Sequence, residues 1–206
     1  METVKRKIAL DLDDTLADAL SIVVARINSE LGLSLSKGDF KDWKMVNLQK
    51  EYGISWEYTH EIYHKVWVEN WKSIPALASP DLLGKALKYY DIDIVTGRSE
   101  GSIDYCRRWL EENYAGIGFR NIVRVNEVHK KVELDYDIFM DDAPTLADAL
   151  IEANYRGKHL MLVDQVYNRR IVDDGINIVR VRNVNAALFL ALKETDAAKN
   201  RDKSRS

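Results

Sequence analysis

Ile8-Ala9-Leu10-Asp11-Leu12-Asp13-Asp14-Thr15-Leu16 is the stretch around which the rest of the chain is organised. A short apolar run that ends in spaced carboxylates reads as a buried strand delivering acids to the edge of a sheet. Alternation along an extended chain puts Asp11 and Asp13 on one face, roughly 7 Å apart at about 3.3 Å per residue, close enough to share one divalent cation. Two such acids suit phosphoryl transfer. One attacks phosphorus and carries the phosphoryl group, while the other gives and takes the protons of the leaving group and water. The plainer use of the same residue types is a strand-end turn or a helix N-cap.

Composition bounds what surrounds this stretch. With 206 residues, 46% of them hydrophobic, the chain can bury one good core, or a core and a small second domain. A net charge of only -3, with acids and bases interspersed, gives no basic field for a DNA duplex or a membrane surface. The single cysteine, Cys106, excludes an internal disulfide framework and zinc-finger spacing, fits a reducing compartment, and lies in a helix-like run as a core residue. The basic start of the chain is followed by an apolar run that Asp11 interrupts, so no signal peptide is expected, and no segment approaches the roughly 20 apolar residues of a membrane span. The expectation is a cytoplasmic protein.

Outward from the first strand, helical spacing predicts a helix over 17–31, stopped by Gly32. Residues 33–80 then lack any buried-strand pattern and hold four of the five tryptophans, which marks an aromatic-rich helical insertion, a lid separate from the sheet, whose large side chains also serve to fill its own core. Helices follow over 81–90, 102–114, 144–155 and 184–193, with strands over 92–95, 122–125, 138–140, 160–163 and 176–181, the last at an edge. Continuous apolar strands alternating with helices imply a parallel sheet covered on both faces, whose ligands bind at the carboxyl ends of the strands. Residues 194–206 are polar and charged and are expected to fray.

Polar residues then converge on one edge: Asp11 and Asp13, Thr96 with Gly97, a lysine at 130 or 131, and Asp141 with Asp142. Asp11-Leu12-Asp13-Asp14-Thr15-Leu16 resembles motif I of the haloacid dehalogenase superfamily of phosphohydrolases, and the order of the rest is similar to its four motifs across residues 8–148. A receiver domain uses these residue types in another order, with its phosphorylated Asp on the third strand. The resemblance implies an α/β fold, a Rossmann-like parallel sheet with a helical cap inserted after the first strand. The core would be residues 1–16 and 79–193, the cap 17–78, and 194–206 a disordered tail.

The resemblance implies a physical task for each position. Asp11 attacks phosphorus once Mg²⁺ and a lysine have neutralised the charges, and Asp13 is the general acid and base. Thr96 and the Gly97 amide hold phosphate oxygens, glycine permitting close backbone approach. Asp11, the Asp13 carbonyl and Asp141 make a hard-oxygen shell for Mg²⁺, and Asp142 supports the lysine or a metal-bound water, or else caps the helix that Pro144 opens. Lys130 and Lys131 are adjacent and point in different directions, so only one reaches the phosphate.

Within the superfamily the chain is most similar to the 5'(3')-deoxyribonucleotidases, through residues 131–142, 66–75 and 162–169. That likeness puts Lys131 in the lysine role with Lys130 as the reserve, and departs at Asp14, where many relatives carry glycine. It implies a magnesium-dependent phosphomonoesterase acting through an aspartyl-phosphate on nucleoside monophosphates. A phosphatase for another small ester, such as a sugar phosphate, and a non-catalytic binding module on the same fold are the alternatives. A flat base needs aromatic faces. Trp67 and Trp71, four apart, are the favoured pair, with Phe40 and Trp43, three apart, the second.

Overall fold

The computed structural model describes residues 5–203. Six strands, β1 (Arg6–Leu10), β2 (Tyr90–Thr96), β3 (Ile122–Arg124), β4 (Ile138–Asp141), β5 (His159–Val163) and β6 (Ile178–Val181), form one parallel sheet in the order β3-β2-β1-β4-β5-β6. The chain runs outward from β1 in one direction through β2 and β3, and in the other through β4 to β6. The order therefore reverses between β1 and β4, where sheets of this kind open a crevice at their carboxyl edge. Leu10 lies beside Ile94 on one side and Met140 on the other. That register sets Asp11, Thr96 and Asp141 at the same edge, and the Asp11 amide donates to the Met140 carbonyl at 2.9 Å.

Helices α1 (Ala19–Leu31), α2 (Val46–Tyr52) and α3 (Trp56–Glu69) lie between β1 and α4 (Pro80–Ala86), and α5 (Ile103–Asn113), α6 (Pro144–Glu152) and α7 (Val184–Lys203) follow. α1 begins at Ala19 rather than residue 17, because the amides of Leu16 and Ala17 are turned back onto the Leu12 carbonyl and Asp18 is the N-cap, accepting from Ser21 N. It ends as expected at Gly32, whose φ of 65° suits glycine. α3 is capped by Ser55 and α4 by Ser79 with Pro80 at its first position. α4 stops at Ala86, short of the expected 90, since Tyr90 already opens β2.

The inserted helices do not close a core of their own. Leu20, Val23 and Ile27 of α1 and Ile62, Val66 and Trp67 of α3 belong to the same buried apolar cluster as Leu10, Ile92, Cys106 and Trp109. Trp67 meets Trp109 of α5 edge to face at 5.9 Å. The helix expected to end at 193 continues to Lys203, through a stretch with two Ala, two Lys and neither Gly nor Pro. The remainder of the expected tail, 204–206, lies outside the described residues. Among the described residues no helix is long and apolar enough to cross a membrane.

Candidate active site

Carboxylates gather at the switch between β1 and β4. Asp11 follows β1, Asp141 ends β4, Asp142 comes next, and one oxygen of each lies within 4.8 Å of the others. Lys131 reaches them from a 3₁₀ turn, Val128–Glu133, and its Nζ donates to Asp11 Oδ1 at 2.5 Å and Asp141 Oδ2 at 2.7 Å. The side chain is 1% exposed. Burial opposes its charge, yet the two facing carboxylates hold its pKa above the ordinary lysine range. Burial also pushes the Asp11 carboxyl up to about 8, with Lys131 acting downward and Asp141 and Asp13 upward. Lys130 turns the other way, to the surface, and pairs with Glu127 at 2.8 Å.

Asp142 is a member of this group and not a helix cap. The cap position of α6 is Ala143, whose amide donates to Asp141 Oδ1 at 2.9 Å. Asp142 accepts from Thr15 Oγ1 at 3.2 Å and from the hydroxyl of Tyr167, and burial, then Asp11 and Asp141, raise its carboxyl well above the usual range. Asn168 Nδ2 holds the Asp142 carbonyl at 2.8 Å.

Asp13 lines the same cavity and is held by two donors. Trp67 Nε1 donates to Oδ1 at 2.7 Å, and Arg98 Nε pairs with Oδ2 at 2.9 Å. Asp14, at φ 56°, does the turn chemistry: its Oδ1 accepts from Leu20 N at 2.7 Å, its Oδ2 from Tyr63 OH at 2.8 Å, and burial then Asp13 push it up to about 7. The Thr96 hydroxyl, buried at the end of β2, accepts from Arg98 N at 3.2 Å, so it braces the loop. A Cβ on Gly97 would sit 3.1 Å from a Val128 methyl, tight enough to make the neighbour shift.

Above these groups opens a cavity of about 360 Å³, within the range of small-molecule sites. Asp11, Asp13, Gly97, Arg98, Lys131, Asp141 and Asp142 line it from the sheet, and Trp43, Trp56, His60 and Tyr63 from the insertion. Of the four aromatics expected to meet a ligand, Trp43 lines it. Trp67 offers only its N–H to Asp13, because its ring is enclosed against Trp109. Trp71 is not on the same helical face, since α3 ends at Glu69 and Trp71 sits in the following 3₁₀ turn, outside the cavity lining, with the Lys72 ammonium over its ring. Phe40 is wholly buried in the apolar cluster.

Arg98, Tyr63, Trp56 and Tyr167 were not singled out from sequence. The signal for Arg98 was its place directly after Thr96-Gly97. For Tyr63 it was the four-residue step back from Trp67 on one helix, and for Tyr167 its place within residues 162–169.

The model of a family described as "5' nucleotidase, deoxy (Pyrimidine), cytosolic type C protein" matches residues 5–191. No curated protein matches the chain. Among solved structures, a conserved haloacid dehalogenase-like protein from Agrobacterium tumefaciens is similar with a TM-score of 0.57 and 14% identity, over 94% of this chain and 100% of that one. CbbY from Rhodobacter sphaeroides, solved in complex with phosphate, gives 0.54 and 13% over 86% and 94%. A β-phosphoglucomutase from Clostridium difficile gives 0.51 and 17% over 93% and 96%. At such identities these likenesses speak to the fold.

Proposed function

Because the chain belongs to the family of cytosolic type C 5' nucleotidases, and so is a phosphoric monoester hydrolase, we propose that it hydrolyses nucleoside monophosphates with Mg²⁺ and an aspartyl-phosphate on Asp11. The observation that carries this reading is the buried group of Asp11, Asp141 and Asp142 at the cavity floor, with Lys131 between two of them. Three carboxylates within reach of one point, without thiol or imidazole, fit a hard divalent cation, and burial and mutual repulsion are strains that such an ion relieves. Asp11, Asp141 and Asp142 would hold it, with the Asp13 carbonyl; when bound, it supplies positive charge against the phosphate dianion.

The protein's own groups carry the steps. The Asp11 carboxylate attacks phosphorus, the ester P–O bond breaks, and Asp13 gives the leaving oxygen its proton. Asp13 then takes a proton from water as that water attacks the aspartyl-phosphate, which releases inorganic phosphate and frees Asp11. Lys131 keeps Asp11 and Asp141 in place and offsets their charge. Helices α1 to α3 serve as the cap, residues 17–78 of the chain, and α3 ties it to the chemistry through Trp67 and Asp13.

The test is turnover of a panel of nucleoside monophosphates, sugar phosphates and an aryl phosphate, with Mg²⁺ and with chelator. Nucleotides should lead and chelator should abolish activity; sugar phosphates outrunning every nucleotide would end the nucleotide reading. Trp43→Ala should weaken nucleoside monophosphates by about 1–3 kcal/mol in kcat/KM while sparing the aryl phosphate, since Trp43 is a cavity aromatic able to stack on a base. Equal losses for all esters would give Trp43 a packing role. Trp67→Phe keeps the ring packed on Trp109 and removes the donor to Asp13, so kcat should drop about tenfold with little change in melting temperature.

A further inference from the structure

Arg98 presents donors that no other described residue uses. A guanidinium carries five N–H groups. The Nε–H is taken by Asp13 at 2.9 Å, and among the described residues the two terminal amino groups have no hydrogen-bond or ion-pair partner. The side chain is only 14% exposed and lines the cavity beside Asp11 and Asp13. It is also held still: its guanidinium carbon lies 5.3 Å from the centre of the Tyr63 ring, and its backbone amide is bound to Thr96. The other cation of the floor, Lys131, is already engaged by two carboxylates. With two of its three N–H groups taken, Lys131 keeps at most one donor, whereas among the described residues both amino groups of the Arg98 fork are left for an incoming anion, in a cavity whose other charges there are mostly negative.

We infer that Arg98 is a substrate-binding residue whose free amino groups take non-bridging oxygens of the phosphoryl group, while its Nε–H keeps Asp13 beside the ester oxygen. A planar fork suits two oxygens of one phosphate, and charge-assisted bonds of this kind are about twice as strong as neutral ones. Thr96 contributes by bracing the loop, and the Gly97 backbone remains the close-approach element. The inference rests on the phosphatase reading but not on the identity of the ester.

The test uses the full chain with Mg²⁺, 4-nitrophenyl phosphate as substrate and inorganic phosphate as competing product. Arg98→Gln should raise the phosphate inhibition constant and the KM for 4-nitrophenyl phosphate together, each about tenfold. Arg98→Lys, which restores the charge without the fork, should raise both about threefold, and it carries the test should the glutamine variant not fold. A phosphate inhibition constant within twofold of the parent's, whether or not kcat falls, would mean that Arg98 acts only through Asp13 and would overturn the inference. Neither ligand contains a nucleoside, so a failure of the nucleotide reading leaves these outcomes unchanged and is seen separately in the substrate panel.

Discussion

Asp11→Asn is expected to lose at least about 10⁴-fold in kcat and to melt no lower than the parent protein. The loss follows from removing the proposed nucleophile with almost no change in volume. The retained stability follows from the environment. Burial raises the Asp11 carboxyl to about 8, against an ordinary value of about 3.9, so the folded state resists its ionisation. The sign follows directly: a carboxyl whose pKa is raised on folding favours the fold while protonated and loses that contribution as pH climbs from about 4 to 8. An amide is neutral throughout, and Lys131 keeps Asp141 as its partner. In chelated buffer the parent should lose melting temperature across this window more steeply than the variant. Near-normal turnover would refute covalent catalysis through Asp11, and a large drop in melting temperature would refute the account of its burial.

Lys131→Met is the opposite case. Methionine fills the buried space, but two carboxylates lose the ammonium they share. Leaving buried charge uncompensated costs about 3–5 kcal/mol. In a chain of this size that lowers the melting temperature by roughly 10 °C. Mg²⁺ should raise the melting temperature of this variant more than that of the parent, because a divalent cation among Asp11, Asp141 and Asp142 replaces the missing charge. Turnover should fall about 10²-fold or more even with saturating Mg²⁺. A variant that melts within about 2 °C of the parent without metal would show that the ammonium compensates nothing.

The sheet was legible because its strands are short apolar runs and because acids break the run after β1 and β4 in the chain itself, a purely local signal. The helix start at Pro144 was legible for the same reason. What the sequence hid depends on contacts between distant residues. Spacing puts Trp67 and Trp71 on one face only if the helix continues, and it says nothing about which face turns inward. α3 stops between them, and Trp67 points to Trp109, which lies on another helix. Likewise, Tyr167 meets Asp142 and Arg98 meets Asp13 across loops whose course no local pattern encodes. Lys130 and Lys131 differ by a single step around a 3₁₀ turn, enough to send one to Glu127 at the surface and the other into the site.

The strand order has a consequence for synthesis. β1 sits at the centre of the sheet, yet both of its neighbours come much later in the chain: Arg6 pairs with Tyr90, and Ile8 with Ile138. Contacts so distant in sequence form late, and domains of this kind complete their sheet as a unit. A nascent chain that has not yet delivered β4 carries Asp11 and Asp13 but has neither Asp141 nor the Met140 carbonyl that fixes the end of β1. The site thus cannot be assembled before residues up to Asp142 have been delivered. Until then the carboxylate proposed as the nucleophile sits in a polypeptide that lacks the rest of its site.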